Sequence, residues 1–510
     1  MIKDGSSISN GTVLPHTQVC IIGSGPAGIT AAWELQNAGI KVILLEGSRD
    51  YRGLSYQASW PDKTLLYAGE TSGLFAANEP EFLILPYESH QPAWERERIY
   101  GGTSAHWGGE TRPEDPIDFE NRPGYTGWPI NRANLDPYYD RASALCKLHG
   151  EYDSGANFSA ESWARILSAD VPKIKYFDAE MYQSMGASYL NFSSRTFDGK
   201  TPTTIGNTSV QVILNASLLE IEHQQGNVKR LRVASTNPIG PLQQATEFFI
   251  TADLYVLACG AVANAHQLLL SNVGNEHDQV GRYFMCHPLS GMAINMPSFL
   301  PPAQARLLGG KAASGGQWTD TNGVTVTGRF IPSADETRKR GIGRCWFWYQ
   351  WGQYYFEMAP NKDSRITLSN RYDNVFHRHQ ASIHWELSPL DQKTYEQTTS
   401  MFNDAVGGVT FPAWDLIKRQ FVVNGHHIGT TRMSDAPAAG VVDKNLKVHS
   451  VNNLYVAGSS VFPSAGISNP TFTIIALSIR LADHLKSLVK NSPAKSTGKP
   501  PKKSLKASRM

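Results

Sequence analysis

Apolar residues in this chain fall into short runs punctuated by glycine, and the runs set out an order of elements. Residues 19–22 (Val-Cys-Ile-Ile) predict a strand. An Ala-rich stretch from Pro26 to about Asn37 predicts a helix that Gly39 ends, and residues 42–45 predict a second strand closed by Glu46. Together they make one β-α-β unit. Residues 50–140 are rich in Gly, Pro and aromatic side chains without sustained periodicity, which predicts long, ordered loops. Residues 210–250 read as strand-rich. A further strand at 254–257 runs into Ala258, Cys259 and Gly260, and a helix is predicted over 263–270. Residues 290–425 alternate like an antiparallel sheet with two helical stretches. A strand at 453–456 then leads through Gly458 to a long helix over 470–486. Beyond Val489 the chain is Lys/Ser/Pro-rich, which predicts a disordered tail.

Composition narrows the function classes. The 510 residues suffice for one large or two medium domains, and 41% hydrophobic with 18% charged residues is ordinary for a soluble globular protein. A net charge of +2 supplies no bulk field for nucleic acid. Six basic residues from Lys495 to Arg509, with no acid among them, read as a solubilising tail. The five cysteines form no C-x-x-C pair, and the histidines between His377 and His449 are scattered, so neither a disulfide framework nor a metal site is expected. No apolar run reaches the ~18 residues a bilayer span needs. The polar start, residues 1–15, carries no apolar signal segment, so a cytoplasmic location is expected, with export on a partner's signal left open.

Chemistry begins at Gly23-x-Gly25-x-x-Gly28, placed between the first strand and the first helix. The first glycine allows the tight turn, the second lets backbone approach a pyrophosphate, and the third lets helix and strand pack closely. The helix N-terminus offers free N–H groups and a positive dipole end to phosphate. Glu46, at the end of the next strand, can accept from ribose hydroxyls, and an acid there argues against a 2′-phosphate. The unit is N-terminal in a chain far longer than a nicotinamide domain requires, which favours FAD.

Further motifs follow in order: residues 100–109 (Tyr-Gly-Gly-Thr-Ser-Ala-His-Trp-Gly-Gly), Trp128-Pro-Ile, 135–139 (Leu-Asp-Pro-Tyr-Tyr), 256–260, 280–288 (Val-Gly-Arg-Tyr-Phe-Met-Cys-His-Pro) and 360–368. The C-terminal block is the most specific: His426-x-x-Gly-Thr-x-x-Met433, 440–443, 453–458 and Asn469-Pro-Thr-x-Thr473. On these motifs the chain resembles the glucose–methanol–choline (GMC) oxidoreductase family from about Val19 to Leu485, nearest its pyranose-oxidase and bacterial sugar-dehydrogenase branch. The resemblance implies an α/β fold, α+β overall. A discontinuous Rossmann-like FAD-binding domain (15–145, 205–290 and 426–490) would carry an inserted substrate-binding domain (146–204 and 291–425) on a mostly antiparallel sheet, with a disordered basic tail over 491–510.

Within that resemblance His426 is the candidate base, since a neutral imidazole can take a hydroxyl proton at working pH. A one-residue slip would give that role to His427. Asn469 is its candidate partner, donating to the substrate oxygen as negative charge develops; it also reads as a helix N-cap before Pro470. Pro470 and Thr471 open a helix expected to point at the flavin, and Gly102, Thr103, Val212, Gly260 and Gly458 are further cofactor-binding candidates. His106 stands where pyranose oxidases join the flavin covalently, although other relatives keep a histidine there without a bond; both states stay open. This sequence departs from those oxidases at Ala105 and Gly108. The aromatic stretch 344–356, read as a strand, would turn alternate side chains to a pocket, with Gln350, Gln353 and Tyr355 as substrate candidates and sheet core as the competing reading. His287, Glu357 and Arg371 adjoin motifs without a role that follows from their position.

The expected function is FAD-dependent oxidation of a secondary alcohol of a sugar or glycoside to a ketone, with hydride passing to flavin N5 and O2 or a quinone as the electron acceptor. A sterol, choline-like or natural-product alcohol, or a redox-silent flavoprotein, are the competing readings.

Overall fold

The computed structural model describes residues 2–48, 100–105, 107–148, 163–164, 170–185, 209–237, 244–290, 318–319, 323–348, 352–373, 375–418, 421–423 and 425–491. His106, Gln350 and the tail from 492 lie outside them. The apolar runs form a six-stranded, wholly parallel sheet in the order Ile2–Asp4, Val210–Leu214, Val42–Leu45, Thr17–Ile22, Ala252–Leu257, Leu454–Val456. Strands buried on both faces need continuous apolar runs, which is why these were readable. The edge strand Ile2–Asp4 is short and polar and carries no such signal. The helices Pro26–Asn37 and Pro470–Asn491 pack on each other. The fold is α/β and Rossmann-like around this sheet.

Three helical expectations change. The helix Asp136–Leu145 forms where loops were predicted; it buries only Tyr139, Ala142 and Ser143, too thin a stripe to register as periodicity. Tyr139 stacks on Phe472 of the C-terminal helix at 5.2 Å. Between residues 290 and 425 the described residues hold three helices, not two: Ala334–Arg340, Pro389–Val406 and the short Trp414–Ile417. The C-terminal helix also runs to Asn491, past the expected 486.

A second, antiparallel sheet runs in the order Phe421–Val423, Pro288–Ser290, Gln353–Phe356, Cys345–Trp348, Thr325–Pro332, Phe177–Ser184, Glu110–Thr111. It has its own core, in which Phe347 stacks on Phe402 of the helix Pro389–Val406 at 4.1 Å. The stretch 344–356 is therefore two strands of a hairpin, with Trp346 opposite Tyr355, rather than one. A four-stranded sheet (Thr12–Val13, Gln244–Ile250, Asn227–Thr236, Ser217–Gln224) flanks the parallel sheet. All five cysteines are free thiols, and no helix among the described residues is long and apolar enough to cross a membrane.

Candidate active site

A cavity of about 720 Å³ opens where the parallel sheet meets the antiparallel one. Its floor is the carboxyl edge of the parallel sheet. Five strands deliver the turns that line it: Thr17–Ile22 gives Gly23 and Gly25, Val42–Leu45 gives Glu46, Val210–Leu214 leads to Ala216 and Ser217, Ala252–Leu257 gives Gly260, and Leu454–Val456 gives Gly458. Ligands of open parallel sheets bind at this edge.

The glycine turn is built as its spacing requires. Gly23 has φ +104°, and a Cβ on it would stand 2.5 Å from Ala258 O. A Cβ on Gly28 would stand 1.9 Å from Gly23 O, so the helix closes directly on the turn. Gly25, Gly260 and Gly458 have either nothing within 4 Å of a Cβ or a single side-chain nitrogen at that limit, so backbone lies open to the cavity there. Pro26 takes the first helical position, and Gly25, Pro26 and Ala27 turn the helix N-terminus to the same space. Glu46, almost fully buried, accepts from Ser24 Oγ and from Ser48 N at 2.9 Å, which ties the acid to the loop. Open backbone, a helix N-terminus and a fixed carboxylate fit the phosphates and ribose of FAD. Gly102, Thr103, Pro470 and Thr471 line the cavity as well.

His426, His427 and Asn469 line the same cavity. His426 Nδ1 lies 2.7 Å from Tyr355 Oη and 3.1 Å from His287 Nδ1. His287 is fully buried, with Nε2 3.0 Å from Gly466 O. Burial lowers the pKa of His287 to about 4. It also holds His426 well below the ordinary imidazole range, with the neighbouring His287 and His427 acting in the same direction. His427 packs its ring 5.4 Å from Phe284.

Asn469 Nδ2 donates to Glu110 at Oε2 (3.0 Å) and at the backbone oxygen (3.3 Å). Glu110 is paired with Arg329, whose guanidinium lies 3.7 Å from the Trp348 ring centroid. Trp346 and Trp348 give the cavity an aromatic wall, and Gln353 lines it as well.

The structure thus gathers Gly23, Gly25, Glu46, Gly102, Thr103, Gly260, Gln353, His426, Gly458, Asn469, Pro470 and Thr471 at one cavity. Gly28 lies beneath the turn, in the close-packing role its spacing predicts, and off the lining. Two expectations are corrected. Val212 is a fully buried strand interior, and the residues beyond its strand, Ala216 to Leu218, reach the cavity instead. Tyr355 is not on the wall: it is fully buried, stacked between Trp346 (4.4 Å) and His287 (4.7 Å). His287, Glu110 and Arg329 were missed as site residues. The His-Pro pair at 287–288 was the one signal that marked any of them. Arg371 is exposed, whereas Glu357 is fully buried and takes both 2.9 Å bonds from Arg122.

The family model for GMC oxidoreductase matches residues 360–478, and that for pyridine nucleotide-disulphide oxidoreductase matches residues 17–111. Pyranose 2-oxidase of Tricholoma matsutake is 37% identical over 455 residues, covering 76% of this chain and 72% of that protein. The fructose dehydrogenase large subunit of Gluconobacter japonicus is 22% identical, covering 93% and 98%. Among solved structures, an FAD-dependent oxidoreductase from Chaetomium thermophilum superposes with a TM-score of 0.59 at 15% identity, covering 93% of this chain and 100% of that one, which supports the fold. With a glycine cradle for FAD at one side of the cavity and these relatives in view, the chain belongs to the GMC oxidoreductase family and is an FAD-dependent oxidoreductase acting on CH–OH donors.

Proposed function

We propose that the chain oxidises a secondary alcohol of a sugar or glycoside to a ketone, with His426 as the base. The observation that carries this reading is the convergence of His426, Asn469, the glycine cradle and the Trp346–Trp348 wall on one cavity. Bound FAD supplies the acceptor for the hydride. His426, kept uncharged near pH 7 by its burial, takes the hydroxyl proton. The Asn469 amide, held by Glu110 Oε2, exchanges its longer bond to the Glu110 backbone for one to the substrate oxygen as negative charge develops there. The helix begun by Pro470 adds its positive dipole end. The tryptophan faces suit the apolar faces of a sugar ring, and Gln353 suits its hydroxyls. Two relatives whose names carry a sugar, pyranose 2-oxidase and fructose dehydrogenase, support this choice over a sterol or choline-like alcohol.

Anaerobic titration of the holoenzyme with sugars, glycosides, sterols and choline-like alcohols tests the reading. Bleaching of the flavin by a sugar or glycoside supports it; bleaching only by a non-sugar alcohol overturns the substrate class. Admitting air or a quinone to the reduced enzyme then identifies the electron acceptor. His426→Ala should slow reduction by roughly 10²–10⁴-fold, whereas normal reduction there with loss in His427→Ala transfers the role to His427.

A further inference from the structure

We propose that His287 is a positioning residue that fixes His426 in the one tautomer able to act as a base; the inference rests on the reading of His426 above. It follows from the hydrogen bonds. A backbone carbonyl cannot donate, so the 3.0 Å contact of His287 Nε2 with Gly466 O places a proton on Nε2. The ring is fully buried and neutral at pH 7, which leaves its Nδ1 bare. His426 Nδ1 lies 3.1 Å from that bare nitrogen. Two lone pairs facing each other repel, so the contact bonds only when His426 Nδ1 carries hydrogen. Tyr355 Oη, at 2.7 Å from the same nitrogen, then shares that proton as a second acceptor. His426 is itself neutral, so its single ring proton is spent on Nδ1 and its lone pair is on Nε2.

Tyr355 alone would not make this choice. Its hydroxyl can accept from Nδ1–H or donate to a bare Nδ1, and the second arrangement would put the proton on Nε2 and block the base. His287 decides between them because its own orientation is locked. Its ring stacks on Tyr355 at 4.7 Å and stands at 85° to the His426 ring. The Gly466 amide that follows through to its carbonyl partner is tethered to Glu357 Oε1 at 3.3 Å, and Arg122 holds Glu357 at 2.9 Å through both oxygens. Partners that orient a metal-bound imidazole are worth about 10–100-fold, and the same scale is expected for a partner that orients an imidazole base.

Histidine-¹⁵N NMR of the oxidised holoenzyme reads the tautomer directly, with His426→Ala identifying the His426 signals. The Nδ1–H form is expected, and an Nε2–H form in the native enzyme overturns the proposal. Stopped-flow anaerobic reduction supplies the second readout. His287→Leu should lower the limiting reduction rate about 10–100-fold with substrate affinity nearly unchanged, and should move the His426 signals toward the Nε2–H form. His287→Asn, whose Oδ1 can accept where Nδ1 did, should recover most of the rate. If His287→Leu reduces normally while His426→Ala is slow, this inference falls and the base assignment stands. If His426→Ala reduces normally, the reading beneath it falls. Should His287→Leu fail to fold, the native tautomer and the Asn variant still decide.

Discussion

Asn469 Nδ2 lies 3.0 Å from Glu110 Oε2, so the amide that opens the last helix is oriented by a strand from the first quarter of the chain. Both amide hydrogens face Glu110, so the amide donates to a developing oxyanion by giving up the longer, 3.3 Å bond to the Glu110 backbone while the carboxylate keeps it in place. Asn469→Ala is therefore expected to slow substrate-dependent flavin reduction by roughly 10²–10³-fold, with bound flavin and melting temperature close to native. Anaerobic stopped-flow and a thermal melt check the two halves of that statement.

Glu110 also holds Arg329, which is fully buried beneath Trp348. Removing only the carboxylate strands a guanidinium away from water. Glu110→Ala should cost about 3–5 kcal/mol in a denaturant titration. Replacing both partners, Glu110→Ala with Arg329→Met, should recover much of that loss. A single variant as stable as the native chain would show that the pair bears little of the load.

The Gly28 site allows a sharp test of the cofactor cradle. A Cβ there would stand 1.9 Å from Gly23 O and 3.3 Å from Ala258 Cβ, and a backbone carbonyl in a tight turn cannot swing away as a side chain can. Gly28→Ala must shift the helix from the turn. Overpacking of this kind costs about 1–3 kcal/mol, or roughly 5- to 150-fold in FAD affinity if the strain falls on the loaded form. The flavin-to-protein absorbance ratio after gel filtration reads it.

What was legible in the sequence shares one property: the constraint is local. Gly23, Gly25, Gly28 and Glu46 sit within one β-α-β unit, so spacing alone places them. His426 and Asn469 are carried by short motifs. His287 reaches His426 only because Pro288 pairs opposite Val423 and Met285 bridges Ile428 in an antiparallel register. Tyr355 arrives by the next pairing, Leu289 opposite Tyr355. The Glu110–Arg329 pair depends on the strand Phe177–Ser184 lying between their two strands. Spacing along the chain carries none of these registers. Val212 fails for the converse reason: in a parallel sheet the strand interior is core, and only the turn beyond it meets a ligand.

The two coupled imidazoles give the site a pH signature with a defined sign. His287 has its folded pKa lowered to about 4, against an unfolded value near 6.5. Between those values the unfolded chain binds a proton that the folded chain refuses. The contribution is therefore complete above pH ~6.5 and is lost as pH falls through 4, amounting to about 3 kcal/mol. His426 is lowered in the same direction and adds to the loss. Urea titrations of the native chain and His287→Asn at pH 7 and pH 4.5 isolate the His287 share, and the native chain should lose more stability than the variant between them. In kinetics, only the neutral imidazole accepts the substrate proton, so the acid limb of anaerobic flavin reduction should lie well below pH 6.5. An acid limb at the ordinary imidazole value would mean that the reacting base is not His426.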